Sequence, residues 1–368
     1  MADIPQPQVL NSQNAAIVYE QAFKALPESD NETEIMEGLK KGDPDSLAKA
    51  AELLKPYGKA IALTEKAASM PQCVCPPTAA KGIKNRPEWR LSRLSSILGY
   101  RARIDAGYGE SEEAVRLIQL QLRMVNCLGQ EKGLISFLRR ANSIYIASST
   151  LRKSSPGITI NEAQARELHK AFGSVDVRRM YVQALQADRA YTSDSIARDR
   201  KTHKSHFTDP LAFIYVQVFM IRDQTALLDT MTQVIDSVDL SYREYVSEDV
   251  GNEGIPFYAI LARILAPVNA ESFSAYCRSR TQIAGSQIFL ALLAHHDRHG
   301  SYPQTLNELR SKLGWSLQKD PFTGEDFIYR RQGKGFLLYS LDKDLLDNGG
   351  QAFAKYDEPR DIVWTIPD

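Results

Sequence analysis

Four cysteines among 368 residues are too few, and too scattered, to build a disulfide scaffold. Long apolar runs are missing as well. No window approaches the roughly 20 consecutive apolar residues that a membrane-crossing helix needs, and the opening MADIPQPQVLNSQN has neither the basic nor the apolar region of a signal peptide. The chain as written therefore reads as soluble and intracellular, or as periplasmic or otherwise extracytoplasmic if a leader or anchor has been removed. Net charge is absent too, because 45 Lys and Arg balance 45 Asp and Glu. Without a concentrated positive field, specific nucleic-acid binding is not expected.

Motifs for chemistry are equally scarce. There is no GxGxxG dinucleotide loop, no GxxxxGK[ST] phosphate loop, no HExxH and no GxSxG elbow. Cys73 and Cys75, in PQCVCPP, are too close for an unstrained mutual disulfide and lack two further ligands at zinc spacing, so loop or packing roles are expected. The basic stretch 198–206, with Arg198, Arg200, Lys201, His203, Lys204 and His206, has no reader helix or aromatic platform and reads as a solvated interhelical loop. In HHDRH, His295 and His299 stand one helical turn apart with Asp297 nearby. No third ligand has recognisable spacing, so a polar helix end is the plainer reading.

What the sequence does contain is helix. Hydrophobic residues, 43% of the chain, recur at helical spacing from Asn14 onward. Asp43-Pro44-Asp45 opens a helix that Pro56 should interrupt, and Ser111-Glu112-Glu113 opens another. ITINEAQARELHKAFG reads as a capped helix, and LAFIYVQVFMIRDQTALLDTMTQVIDSV as a buried one. The expected fold class is mainly α, an irregular multi-helix body with a small C-terminal α+β module. The expected division is 1–13 extended lead-in, 14–155 first helical region, 156–280 second helical region and 281–368 C-terminal module.

That last stretch is the most legible. An apolar helix ends at His299-Gly300-Ser301-Tyr302-Pro303 and is followed by TLNEL, the turn Asp320-Pro321-Phe322-Thr323-Gly324, a tyrosine strand, Tyr339-Ser340-Leu341, an acidic loop closing on Gly349-Gly350, and Asp361-Ile362. This order resembles the soluble part of the major pseudopilins of type II secretion systems. It is similar as well to the C-terminal parts of large uncharacterised planctomycete-like bacterial proteins.

The resemblance implies an extracytoplasmic, noncatalytic module whose C-terminal loop binds Ca2+. Carried over by motif position, Asp344 and Asp361 would be ligands, with the Leu341 carbonyl as another. Asp342, where the family has glycine, and Asp347 and Asn348 add further oxygens, and calcium needs several at compatible distances. The polymerising apolar N-terminal helix of pilins is missing from the first 30 residues, so pilus assembly is not expected. The resulting expectation is a noncatalytic structural or interaction protein with an unidentified protein partner and a calcium-stabilised loop. The alternative is a hydrolase with its site in the helical body.

Overall fold

The computed structural model describes residues 13–28, 31–73, 87–127, 133–202, 220–252, 254–351 and 361–368. Local chemistry sets the helix boundaries. The first helix, α1 (Ala15–Lys24), starts where the Asn14 side chain accepts from the Ala16 amide. Next come α2 (Glu32–Lys41), closed by left-handed Gly42, and α3 (Pro44–Leu54), opened by Asp43 accepting from Ser46 N at 2.9 Å. Pro56 ends α3 as expected: a 3-10 turn spans Lys55–Tyr57 before α4 (Gly58–Ala68) begins.

The helices α5 (Pro87–Gly107), α6 (Ser111–Cys127), α7 (Leu134–Ser154), α8 (Glu162–Gly173) and α9 (Val177–Thr202) follow. Asn161 and Gln164 form a full capping box at the start of α8. The backbone of 198–202 belongs to α9, so the expected solvated loop begins later than the basic residues do. Positions 203–206 and the apolar run 211–219 lie outside the described residues.

After α10 (Met220–Asp236) and the short α11 (Tyr242–Ser247) comes α12, an unbroken helix of 40 residues from Ile260 to His299. It passes through Pro267, and the expected division at 280/281 falls inside it. Gly300, at φ +71°, ends it, its amide N–H donating a hydrogen bond to the His296 carbonyl. Then α13 (Leu306–Leu313) leads to three short strands, β1 (Ile328–Gln332), β2 (Gly335–Ser340) and β3 (Ile362–Ile366). They pair antiparallel in the order β1-β2-β3, and Gly333 at φ +51° lies in the turn of the first hairpin.

Two apolar cores share α6. Leu117, Leu120 and Met124 face the first, built from α1 to α5, whereas Val115, Ile118, Leu122 and Val125 face the second. The second core is organised around α12, which is covered by α7, α8, α10 and the sheet. Small residues permit close approach: Ser148 of α7 meets Ser286 of α12 hydroxyl to hydroxyl at 2.8 Å, and Trp364 of β3 lies over Gly285. A helix buried around most of its middle needs such neighbours, which is why Ala284 and Phe289 to Leu292 are all fully enclosed.

One cysteine departs from expectation. Cys73 is disulfide-bonded, where sequence spacing predicted a loop or packing role. Cys277, enclosed on α12, is a free thiol whose ionisation burial opposes strongly.

Candidate functional site at the C-terminal acidic loop

The end of β2 and the start of β3 bring the expected ligands together, but each has local work. Asp342 is fully enclosed, 0% exposed, and its carboxylate accepts from Arg278 of α12: Nη2 reaches both oxygens at 2.8 Å and Nε reaches Oδ1 at 3.2 Å. Burial still outweighs the guanidinium and holds the Asp342 pKa above the usual carboxylate range. Its φ is +56°, the left-handed region that suits glycine and is tolerated by aspartate. The residue thus meets both demands of its position, backbone conformation and charge.

Asp344 accepts from the Leu346 amide at 3.2 Å, and the Asn348 amide group donates to the Leu346 carbonyl at 3.2 Å. Asp347 accepts from Tyr339 OH at 2.9 Å and from the Gly349 amide at 2.8 Å, which lowers its pKa. Leu341 precedes the 3-10 turn Asp342–Asp344 in ordinary right-handed geometry. Asp361, 1% exposed, accepts from the Gly350 amide through Oδ2 at 2.7 Å, while its Oδ1 is buried without a partner. Burial, then the neighbouring charges of Asp347 and Asp344, raise its pKa.

Asp361 and Asp344 therefore lie close enough to repel, and Asp361 retains an unused acceptor. Among the described residues no group of three or more His, Cys, Asp or Glu side chains is disposed to hold a metal ion. Arg278 escaped sequence reasoning because its partner is 64 residues away. The available signal was the pair Arg278 and Arg280 in SAYCRSRTQIAG, a stretch that contains no acidic residue.

Behind this loop Asp320 anchors the Asp-Pro turn. Its Oδ1 accepts from the Phe322 amide at 3.0 Å, Ser340 Oγ at 2.9 Å and Thr281 Oγ1 at 3.5 Å, and its backbone closes the turn with Gly324 and Glu325. Burial pushes its pKa from 3.8 up to about 6. Between these values the folded chain holds a proton that the unfolded chain has released, so stability falls as pH rises from the lower to the higher. The contribution is on the order of 3 kcal/mol. Asp320→Asn keeps the Oδ1 acceptor and removes the titration; urea unfolding from pH 4 to 7 should show this slope lost and neutral-pH stability at or above wild type.

The HHDRH residues separate. His295 is buried with Nδ1 2.8 Å from the Ser301 carbonyl, and the His299 ring packs on it with centroids 4.4 Å apart. His296 packs instead on Tyr302. Asp297 turns to α8, accepting from the Glu162 amide at 3.0 Å, where a carboxylate complements the helix N-terminus.

In the helical body, a cleft of about 460 Å³ lies between α10 and residues 254–258. It contains Asp229 and Thr230, but the Thr230 hydroxyl donates to the Ala226 carbonyl at 2.6 Å, and neither His nor Cys is among the lining residues.

No described helix is long and apolar enough to cross a membrane. No protein-family model, no curated protein and no solved structure matches this chain.

Proposed function

We propose that this chain is a noncatalytic structural and protein-interaction protein with a pseudopilin-like C-terminal module. The observation that carries the interaction reading is an apolar face at the start of α12 that the other described residues leave uncovered. Ile260, Ile264 and Val268 recur every four residues and are 49, 62 and 51% exposed, flanked by Phe257 at 81%. A continuous apolar stripe of this kind is costly to leave in water and marks a contact surface.

The partner it fits is a protein presenting an apolar helix face, a second copy of this chain included. Sedimentation velocity with site-specific photo-crosslinking at Ile264 tests this. We expect a discrete crosslinked complex whose formation Ile260→Asp abolishes without changing the circular dichroism spectrum. Monomer at every concentration with no crosslinked product would overturn the reading.

The module reading is supported by element order: a long helix, a short helix, an Asp-Pro turn and a three-stranded antiparallel sheet resting on the long helix. The calcium reading narrows to Asp344, Asn348, Asp361 and the Leu341 carbonyl, because Asp342 is committed to Arg278 and Asp347 to Tyr339 and Gly349, whereas Asn348 engages only its Nδ2 donor. What supports it is the unpartnered, enclosed Oδ1 of Asp361 beside a second carboxylate. Bound calcium would neutralise that repulsion and satisfy the oxygen.

Thermal and urea unfolding with added Ca2+ should show stabilisation approaching about 2.7 kcal/mol at a hundredfold excess over Kd. Asp361→Asn should remove that calcium increment. An absent increment in the wild type, or an equal one in the variant, rejects the site.

A further inference from the structure

The carboxyl-terminal turn of α12 carries a second cluster with ligand chemistry, far softer than the acidic loop. We propose that His295 and His299 form a two-histidine site for a borderline divalent transition metal of the Zn2+, Cu2+ or Ni2+ class, its remaining coordination positions taken by water or an exchangeable ligand.

The tautomer supplies the first step. The Ser301 carbonyl can only accept, so the 2.8 Å contact requires the proton on His295 Nδ1 and leaves the Nε2 lone pair free. A backbone carbonyl holding one ring nitrogen is the arrangement that orients a metal-ligating histidine through the other. That other nitrogen is the second observation: Nε2 is buried on a side chain only 1% exposed, and nothing hydrogen-bonds to it. A satisfied core histidine would have used both nitrogens.

The third step is the neighbour. His299 follows by four residues, so both rings project from one helix face, and the 4.4 Å ring separation places them in contact. His299 is exposed, so its ring can swing to admit an ion from solvent. Imidazole nitrogens suit Zn2+, Cu2+ and Ni2+ and are poor ligands for Ca2+, which keeps this site distinct from the acidic loop.

The surrounding charges permit a cation. The helix ends here, and its carbonyl terminus favours positive charge. Lys312 opposes it, but its ammonium is held by Glu308 Oε1 at 2.7 Å.

The test is calorimetric titration of the chelator-treated full chain with ZnCl2 and, separately, NiCl2. One equivalent should bind, and His299→Ala, an exposed position that leaves the core untouched, should weaken binding at least about tenfold, or about 1.4 kcal/mol. His296→Ala is the control, because that ring packs on Tyr302 and should leave binding unchanged. No saturable binding, equal binding by His299→Ala, or an equal loss in both variants would overturn the site.

Discussion

Arg278→Ala should cost about 3 kcal/mol of unfolding free energy at neutral pH, near the lower end of the range for stranding one member of a buried ion pair. The reason is asymmetric burial: the Asp342 side chain is 1% exposed whereas that of Arg278 is 39% exposed. Removing the arginine leaves a carboxylate enclosed with no counter-charge. Removing the aspartate leaves a guanidinium that can turn to water.

Asp342→Gly should consequently be much milder, because glycine also relieves the φ of +56°. Asp342→Ala, which keeps the strained conformation without the carboxylate, should fall between the two. The effect of Arg278→Ala also depends on pH. Asp342 already ionises above its ordinary range, and losing the guanidinium raises that point further. A carboxylate raised in the folded state contributes stability that is present at low pH and lost as pH rises, so the variant's deficit should shrink toward pH 4 and widen toward 7. Urea unfolding across that range measures both points; a pH-independent deficit, or a larger loss in Asp342→Gly, would remove the pair from its proposed structural role.

This pair also illustrates what sequence reading captured and what it could not. Helix ends were legible because their causes are local: Asp43 capping Ser46, Pro56 ending α3, the Asn161 box and Gly300 at a left-handed stop all act within four residues. The antiparallel hairpin was legible for the same reason, since Gly333 lies in its turn and Gly335 opens the second strand. The acidic residues of the C-terminal loop were recognised as a cluster, but their partners Arg278, Tyr339 and Arg330 belong to other elements.

The unity of α12 was illegible because it is decided by packing. Its first part exposes an apolar stripe and its middle is enclosed, so no single periodicity marks it as one helix. The Cys73 disulfide was missed for a similar reason, since pairing depends on spatial approach that spacing does not encode. Asp342 was read only as an oxygen ligand, whereas the fold uses it as a left-handed residue and as the counter-ion of Arg278.

Gly285→Ala should destabilise the chain by about 3 kcal/mol, against the usual sign for replacing glycine within a helix. In an open helix interior that change gains about 1 kcal/mol. Here a Cβ would stand 2.3 to 2.6 Å from three atoms of the Trp364 ring, well inside contact distance. The ring cannot yield easily: it is fully enclosed, Arg152 lies over it at 5.1 Å while donating to the Val363 carbonyl at 2.7 Å, and Phe327 meets it edge-on. The added methyl must therefore displace β3 from α12, and Gly285→Val should displace it further.

Two comparisons isolate the cause. At Gly58, where nothing lies within 4 Å of the added carbon and the backbone is right-handed, alanine should stabilise by about 0.4 to 1 kcal/mol. Pairing Gly285→Ala with Trp364→Leu should recover part of the loss, with a coupling energy of about 1 to 3 kcal/mol in a double-mutant cycle. Equal behaviour at Gly58 and Gly285, or zero coupling to Trp364, would mean that the sheet is not held on the long helix by this contact.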